Sequence, residues 1–435
     1  MAHRQPPLAA DVVVVGSGIT GAATAAAVAS RGLSVVVLDK EAGPAREGSG
    51  RAQGSLRLQG RHASEFPLAV EALGLWNRAA ADDPAIDIEL RVGGNLYFCT
   101  LEKERPVLDK LIEEAHACGL NSVEYLDADR TREVVPAATG DFLGAMWSPV
   151  DAQCQPDKGT GLFVARAERA GASFAYGIRA TRLVERGGVI VGVDTTAGRI
   201  DAGAVVVGAG IWTAHILATV GLRLPIMPVC LTELETQPVE HLFGPSIRAF
   251  GFGARQRPSG EMVVSGGLNA RLTRRFSLYD CNGLRYWLPR ARTFRKNLRL
   301  RPDGRQILRE VRRLETVHPA LIPDPSLEPR PDRASVDAAL TRLSTVIPAA
   351  KSATAVRYWG GMVDMTPDGL PLIDGHTGVR GLTVIAGLCG HGLALGPVLG
   401  EIAADLALDG TTHRPIDSFR LGRFSGAVPT PEMMI

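Results

Sequence analysis

The chain has 435 residues, enough for two or three domains, or one large interleaved body, at roughly 150 residues per domain. Hydrophobic residues make up 45% and charged residues 22%, an ordinary globular profile that excludes disorder, collagen and coiled coil. The 48 Lys and Arg against 46 Asp and Glu leave a net charge of +2, which argues against a dedicated nucleic-acid binder. Glycine is the unusual count, at 49 residues, and excess glycine in an apolar α/β chain points to backbone packed closely against a large ligand.

Taken in chain order, the first residues (Met-Ala-His-Arg-Gln-Pro-Pro) have no apolar core before Asp11, so no signal peptide is expected there. Val12–Val15 is a continuous β-branched run, as in a strand buried on both faces. Gly16-Ser-Gly18-Ile-Thr-Gly21 follows at once, then an alanine-rich helix to about Ser30, then a second strand, Ser34–Leu38, ending in Asp39. This is the dinucleotide-binding unit of strand, G-x-G-x-x-G, helix, strand and acid. Gly16 makes the tight turn, Gly18 lets backbone N–H groups approach a pyrophosphate, and Gly21 lets the helix pack on the strand. The helix N-terminus favours phosphate, and Asp39 can accept hydrogen bonds from ribose hydroxyls.

Further along, Glu102–Cys118 and Asp157–Ala170 read as amphipathic helices. Val189–Thr195 and Ala204–Val207 read as strands, the latter running into Gly208-Ala-Gly210 as a second edge of the same nucleotide crevice. Between about Pro225 and Ala350 proline and arginine rise and parallel-strand runs thin out, which suggests an inserted substrate-facing domain. The expected division is a nucleotide-binding domain over 8–90, 150–224 and 351–425, and a substrate domain over 91–149 and 225–350. Arg285–Arg313 holds ten Arg and one Lys against Asp303 and Glu310. It is read as a solvated face, with a docking patch for an acidic partner or membrane surface as the sharper alternative. Gly381–Gly400 lacks charged residues over a bilayer-spanning length, but its six glycines and Pro397 make it a buried strand (Leu382–Ala386), a glycine loop and a helix. The six cysteines are scattered without metal spacing, so reduced thiols and no metal are expected.

Four signatures in this order resemble the D-amino-acid-oxidase-like family of FAD-dependent oxidoreductases. They are the first glycine motif through Asp39-Lys40, the segment Gly48–Gly54, the strand ending Val205–Trp212, and a C-terminal pair, Trp359–Ile373 with Gly387–Ala394. The resemblance covers nearly the whole chain. It implies an α/β fold with an α+β insert: a Rossmann-like FAD-binding domain interleaved with a smaller substrate domain on a mainly antiparallel sheet. The implied cofactor is FAD. Implied contacts run through Gly16, Ser17, Gly18, Ile19, Thr20, Gly21, Asp39 and Lys40, then Ser49, Gly50, Arg51, Ala52, Gln53 and Gly54. They continue with Ala180, Gly208, Ala209, Gly210 and Trp212, and finish with Gly361, Met362, Gly390, His391, Gly392, Leu393 and Ala394. The loop Gly390-His-Gly392, leading into a helix near Gly396–Leu408, is expected at the flavin's pyrimidine edge, where a helix N-terminus stabilises the charge of reduced flavin.

Three departures from relatives narrow the expectation. Covalent flavin in relatives uses a His where this chain has Arg51, or a Cys where it has Gly361, so the FAD is expected to be non-covalent. D-Amino acid enzymes place a carboxylate-binding Arg where Val363 stands, and sarcosine-oxidase-like enzymes place a Lys near Ala394. A substrate carboxylate is therefore expected at Arg57 or Arg61, with Tyr97, Tyr358 and Trp359 as pocket walls and His391 as the remaining candidate near the reaction centre. The expected reaction is oxidation of a C–N bond, leaning to a secondary or cyclic amino acid, by hydride transfer to flavin N5 to give an imine that hydrolyses. No catalytic side chain is assigned. The alternatives are a D-amino acid dehydrogenase or oxidase, a C–OH oxidoreductase acting on 2-hydroxy acids, and the flavin subunit of a hetero-oligomer. Oxygen, a quinone or a partner protein is the expected electron acceptor. The cytoplasm, or the periphery of the inner membrane, is the expected location.

Overall fold

A computed structural model describes residues 7–266 and 329–426, with short pieces at 272–275, 284–287 and 298–301 and the single residues 304 and 308. Most of the Arg285–Arg313 run, and Cys281, lie outside the described residues. Five parallel strands form the centre of the first sheet, in the spatial order Ser173–Tyr176, Val35–Asp39, Ala9–Val15, Gly198–Val207 and Leu382–Ala386. The β-branched runs seen in the sequence are buried on both faces, as parallel strands require. Val12, Val14, Val35, Val37 and Val206 face one core cluster, and Val13, Val15, Val36, Val205 and Val207 face the other.

Helices Ile19–Ala29 and Gly392–Asp409 pack against each other over the first of these clusters. They touch through glycine: a Cβ on Gly400 would lie 2.5 Å from the Cβ of Ala23, and one on Gly396 would collide with Ile19. The second helix starts four residues earlier than the sequence suggests, at Gly392, with His391 as its N-cap. Its first turn is held by burial of Leu393, Ala394 and Leu395, a tertiary effect that overrides the low helix propensity of glycine.

The second sheet has ten strands and is mainly antiparallel. Its spine is the strand Met227–Thr236, paired along its length with Ala355–Met365. The Ala355–Met365 strand thus belongs with the second sheet, whereas the sequence reading groups 351–425 with the nucleotide-binding part. Helix Arg333–Val346 covers this sheet with Val336, Ala339 and Leu343. Three short strands, Ser55–Leu56, Arg91–Val92 and Ala152–Gln153, form a small third sheet. Among the described residues no helix is long and apolar enough to cross a membrane, and Cys99, Cys118, Cys154 and Cys389 are free thiols.

The glycine contact between the two helices makes a stability prediction. Gly400→Val should overpack the crossing and cost about 1–3 kcal/mol, read as a lower Tm of the holoprotein. Gly161→Ala, on helix Pro156–Arg169 where the added methyl meets open space, should leave Tm unchanged or raise it.

Candidate active site

The strands Ala9–Val15, Val35–Asp39 and Gly198–Val207 end side by side, and their carboxyl ends open onto a cavity of about 380 Å³. This is where open parallel sheets bind ligands. Gly16 has φ +105°, and a Cβ there would lie 2.6 Å from the Gly208 carbonyl oxygen. A Cβ on Gly21 would collide with the Gly16 carbonyl, so the helix start can sit on the strand end only because both residues lack side chains. Asp39 ties the turn down. Its Oδ2 accepts from the backbone N–H (2.7 Å) and hydroxyl (2.6 Å) of Ser17, and its Oδ1 accepts from the Glu41 N–H at 2.9 Å. Lys40 pairs with Glu41 and Glu47 and sits 5.1 Å from the centre of the Trp212 ring.

The second glycine segment lies across this turn. Ser49 Oγ accepts from the Ile19 N–H at 3.0 Å. Arg51 donates to backbone, from Nε to the Arg46 carbonyl and from Nη1 to the Gly360 carbonyl, both at 3.0 Å. A Cβ on Gly361 would lie 3.3 Å from the Arg51 carbonyl, so the two positions that carry covalent flavin in relatives are neighbours here and offer no nucleophile. Arg255 braces the segment from below, donating to the Gln53 carbonyl and, at 2.7 Å, to Gln155 Oε1. Gln53 Nε2, Ser55 Oγ and Trp212 Nε1 belong to residues that line the cavity, and all three are buried without a hydrogen-bond partner. Buried polar atoms are seldom left unpaired. A glycine-lined crevice at a helix N-terminus with unpaired polar atoms around it fits FAD.

Of the residues expected to hold the cofactor, Gly16, Gly18, Thr20, Asp39 and Lys40 line the cavity, followed by Ser49, Arg51, Ala52, Gln53 and Gly54. Ala180, Gly208, Ala209, Gly210 and Trp212 form a second edge, and Gly361, Met362, Gly390, Gly392 and Leu393 a third. Six others stand off the wall. Ser17, Ile19 and Gly21 shape the first turn, Gly50 backs onto the Ala45 carbonyl, and Ala394 accepts from Trp76 Nε1 at 3.2 Å. His391 is buried behind the loop, with Nδ1 2.8 Å from Glu65 Oε1.

The substrate-side expectations divide. Arg57 lines the cavity. Arg61 does not, and is held by protein partners instead. It is 3% exposed, its Nε donates to the Arg57 carbonyl at 2.8 Å, and its Nη1 lies 3.4 Å from Glu65. Burial acts to raise the Glu65 pKa, but His391 and Arg61 outweigh it and hold it at about 2. Burial lowers the pKa of His391 while Glu65 acts to raise it, so the set is an Arg61–Glu65 ion pair with the imidazole donating to the carboxylate from Nδ1. Tyr97, Tyr358 and Trp359 are also off the cavity wall. Tyr97 is buried in a core cluster, Tyr358 donates to Asp337 at 2.6 Å, and Trp359 Nε1 donates to the Arg51 carbonyl at 3.0 Å.

Two cavity residues escaped the sequence reading. Arg248, on strand Ser246–Ala249, lies with its guanidinium 4.8 Å from the Tyr97 ring centre. Glu233 is on the strand Met227–Thr236. The available signal was a charged residue inside an otherwise apolar strand, Ile247-Arg-Ala-Phe250 and Leu231-Thr-Glu-Leu234. Burial, and then the charge of Arg248, lowers the Arg57 pKa, and burial also lowers that of Arg248. Among the described residues neither arginine pairs with a carboxylate; Arg57 has one long bond, 3.5 Å, to the Gln59 carbonyl. No described group of His, Cys, Asp and Glu is arranged to hold a metal.

The family described as DAO, FAD dependent oxidoreductase, matches residues 11–406. The chain belongs to this family. It is an FAD-dependent enzyme of the amine and amino acid oxidising family. It is 28% identical to a glycine oxidase of Geobacillus kaustophilus (strain HTA426), with 98% of this chain and 99% of that protein covered. It is 26% identical to an N-methyl-L-tryptophan oxidase of Salmonella arizonae, over 95% and 99% of the two chains. Its fold is similar to that of the L-amino acid deaminase from Proteus myxofaciens in complex with anthranilate, with a TM-score of 0.86 at 22% identity, covering 97% and 94%.

Two outcomes are expected of the flavin in this oxidoreductase. Acid or heat denaturation should release intact FAD into the supernatant; flavin retained in the pellet would contradict the reading of Arg51 and Gly361. Asp39→Ala removes a charged acceptor and its brace on Ser17. It should weaken FAD binding by about 1.5–3 kcal/mol, roughly 10- to 100-fold in Kd, measured by flavin fluorescence on reconstitution.

Proposed function

We propose that the protein oxidises the C–N bond of an amino acid, one whose nitrogen is secondary or cyclic, and that Arg57 and Arg248 hold its carboxylate. One observation carries the reading: two cations line the cavity beside the flavin motifs with no carboxylate among the described residues paired to either. Buried like charges repel and are costly to desolvate, so the arrangement is complementary to an anion brought by the ligand. Arginine suits this task because its planar fork matches a carboxylate bidentately. Bound FAD supplies the acceptor for the hydride that leaves the substrate's α-carbon. The chain's own part is to orient that carbon, keep water out and present the amine unprotonated. Leu231, Ile247, Met362 and Val363 give the cavity apolar wall for an N-alkyl group or ring.

The wording Met365-Thr-Pro-Asp368 and the N-methyl-L-tryptophan oxidase relative support a substituted nitrogen. A primary amino acid is the second reading, favoured by the glycine oxidase relative. Anaerobic titration of the oxidised flavin with N-methyl, cyclic and primary amino acids, and with 2-hydroxy acids, decides between them. Bleaching by hydroxy acids alone would sink both.

Arg57→Met and Arg248→Met should each weaken substrate binding by about 2–5 kcal/mol, at least roughly 30-fold in KM or Kd, with flavin content nearly unchanged. A decarboxylated amine should be far less affected. Arg61→Met should behave differently. It leaves the buried Glu65 carboxylate with His391 as its remaining partner, should cost up to about 3–5 kcal/mol of stability, read as a lower Tm, and should affect acid and amine ligands alike. Equal losses for acid and amine in all three variants would leave the substrate without a carboxylate anchor.

A further inference from the structure

Glu233 stands apart from the other buried acids of the described residues. Glu65 has Arg61 and His391, Asp364 accepts from the Gly387 and Leu388 N–H groups, and Asp368 pairs with Arg423. Glu233 is 8% exposed, lines the cavity, and makes no hydrogen bond; its Oε2 is fully buried without a partner. Its strand neighbours in register are Ser265 on one side and Trp359 on the other, and neither titrates as an acid or a base near neutrality. Across the sheet, Arg255 of strand Phe252–Gln256 directs its donors to the Gln53 carbonyl and Gln155. On the same strand, Glu235 faces Arg257, and in the flavin segment Arg51 is bonded to backbone carbonyls. The remaining cations on the cavity wall are Lys40, paired with Glu41 and Glu47, Arg57 and Arg248, with Arg46 and Arg179 also lining it. The cavity therefore holds one acid without a donor, Glu233, and, among the described residues, two half-buried cations beside the flavin motifs without a paired acid, Arg57 and Arg248. That set is complementary to the two ends of an amino acid.

We propose that Glu233 receives the substrate's nitrogen, accepting a hydrogen bond from the ammonium and then its proton, so that the amine is neutral when the C–N bond is oxidised. This rests on the reading that an amino acid carboxylate sits at Arg57 and Arg248. In the step one N–H bond breaks and one O–H bond forms at Glu233, while nitrogen keeps the electron pair; no electrons leave the substrate. The pH dependence follows from the acid's surroundings. Burial raises the Glu233 pKa to about 8, with Arg255 pulling it the other way. At pH 7 the free carboxyl is mostly protonated and so is the free amine, giving two protons where the complex keeps one. Binding should therefore release close to one proton at pH 7. The release should fall through pH 8 and vanish by about pH 9, where the free carboxyl is already ionised.

The test uses the holoenzyme and two ligands that cannot be oxidised at the α-carbon. These are 2-aminoisobutyrate, which has no α-hydrogen, and pivalate, in which a methyl replaces the ammonium. Binding is read from perturbation of the flavin spectrum, and proton release from calorimetry in buffers of different ionisation enthalpy. In wild-type protein 2-aminoisobutyrate should release close to one proton at pH 7 and pivalate none. Glu233→Gln keeps the neutral shape of the side chain. It should abolish the proton release and weaken 2-aminoisobutyrate at least about tenfold, while pivalate stays within about twofold. Unchanged 2-aminoisobutyrate affinity, or no proton release at pH 7 in wild type, overturns the role of Glu233 and leaves the carboxylate site standing. Parallel loss of both ligands, or of FAD, in Glu233→Gln assigns the residue to the fold or the flavin and also overturns it. Pivalate that fails to bind wild-type protein overturns the carboxylate site itself, and the proposal with it.

Discussion

Backbone lies directly on backbone at the carboxyl edge of the parallel sheet, and the geometry of the cavity follows from that close approach. Gly16 touches Gly208, and Gly21 touches Gly16, with no side chain between them. The helix Ile19–Ala29 can therefore begin at the strand end and point its first N–H groups toward the crevice. The same device recurs farther along the chain. Gly50 sits on the Ala45 carbonyl, while Gly396 and Gly400 sit on Ile19 and Ala23. Segments hundreds of residues apart are thereby brought into direct contact, and in an interior packed at crystal density an added methyl at any of these points must move a whole element.

Away from the glycine wall the cavity is organised by charge. Arg61, Glu65 and His391 form a saturated set, in which each buried side chain has a partner. That set lies beneath the start of the helix Gly392–Asp409 and holds the C-terminal glycine loop against the entry to helix Phe66–Asp82. Arg57 and Arg248 are the opposite case, two cations without a paired carboxylate among the described residues, compensated in part by the field of Asp151. Burial pushes Asp151 up to about 6, against hydrogen bonds from the Leu58 N–H and the Ser148 hydroxyl. A buried ion pair contributes to order only when it is complete. Arg57, Arg248 and Glu233 are incomplete groups that face the cavity, where a ligand can complete them.

The two kinds of site differ in how far the sequence reveals them. The first βαβ unit is local: strand, glycines, helix, strand and Asp39 lie within about thirty residues, and every part has one workable residue type. Gly16 must have a positive φ and Gly21 must lack a Cβ, so these roles are written in residue identity. The strands buried on both faces are legible for a similar reason, because Val12–Val15 and Val35–Val37 have no polar face to present. The start of the last helix is less legible, since the glycine loop before it reads as non-helical to about Gly396 and burial of Leu393, Ala394 and Leu395 moves the start to Gly392.

Arginine behaves differently from glycine, because its role depends on what stands opposite. Arg57 and Arg61 are four residues apart and read alike in the sequence, yet one lines the cavity while the other is consumed by Glu65. Arg248 and Glu233 reach the same cavity from strands whose pairing partners, Asn95–Cys99 and Ala355–Met365, come from distant parts of the chain. The sequence alone determined the strand-and-glycine frame of a dinucleotide site, because short-range sterics permit only one residue type at each of those points, and the resemblance carried by its four motifs implied the family and FAD. Which charges are satisfied and which are left for a ligand was decided only by tertiary structure, because the energy of a buried charge is set by partners that the chain brings together on folding.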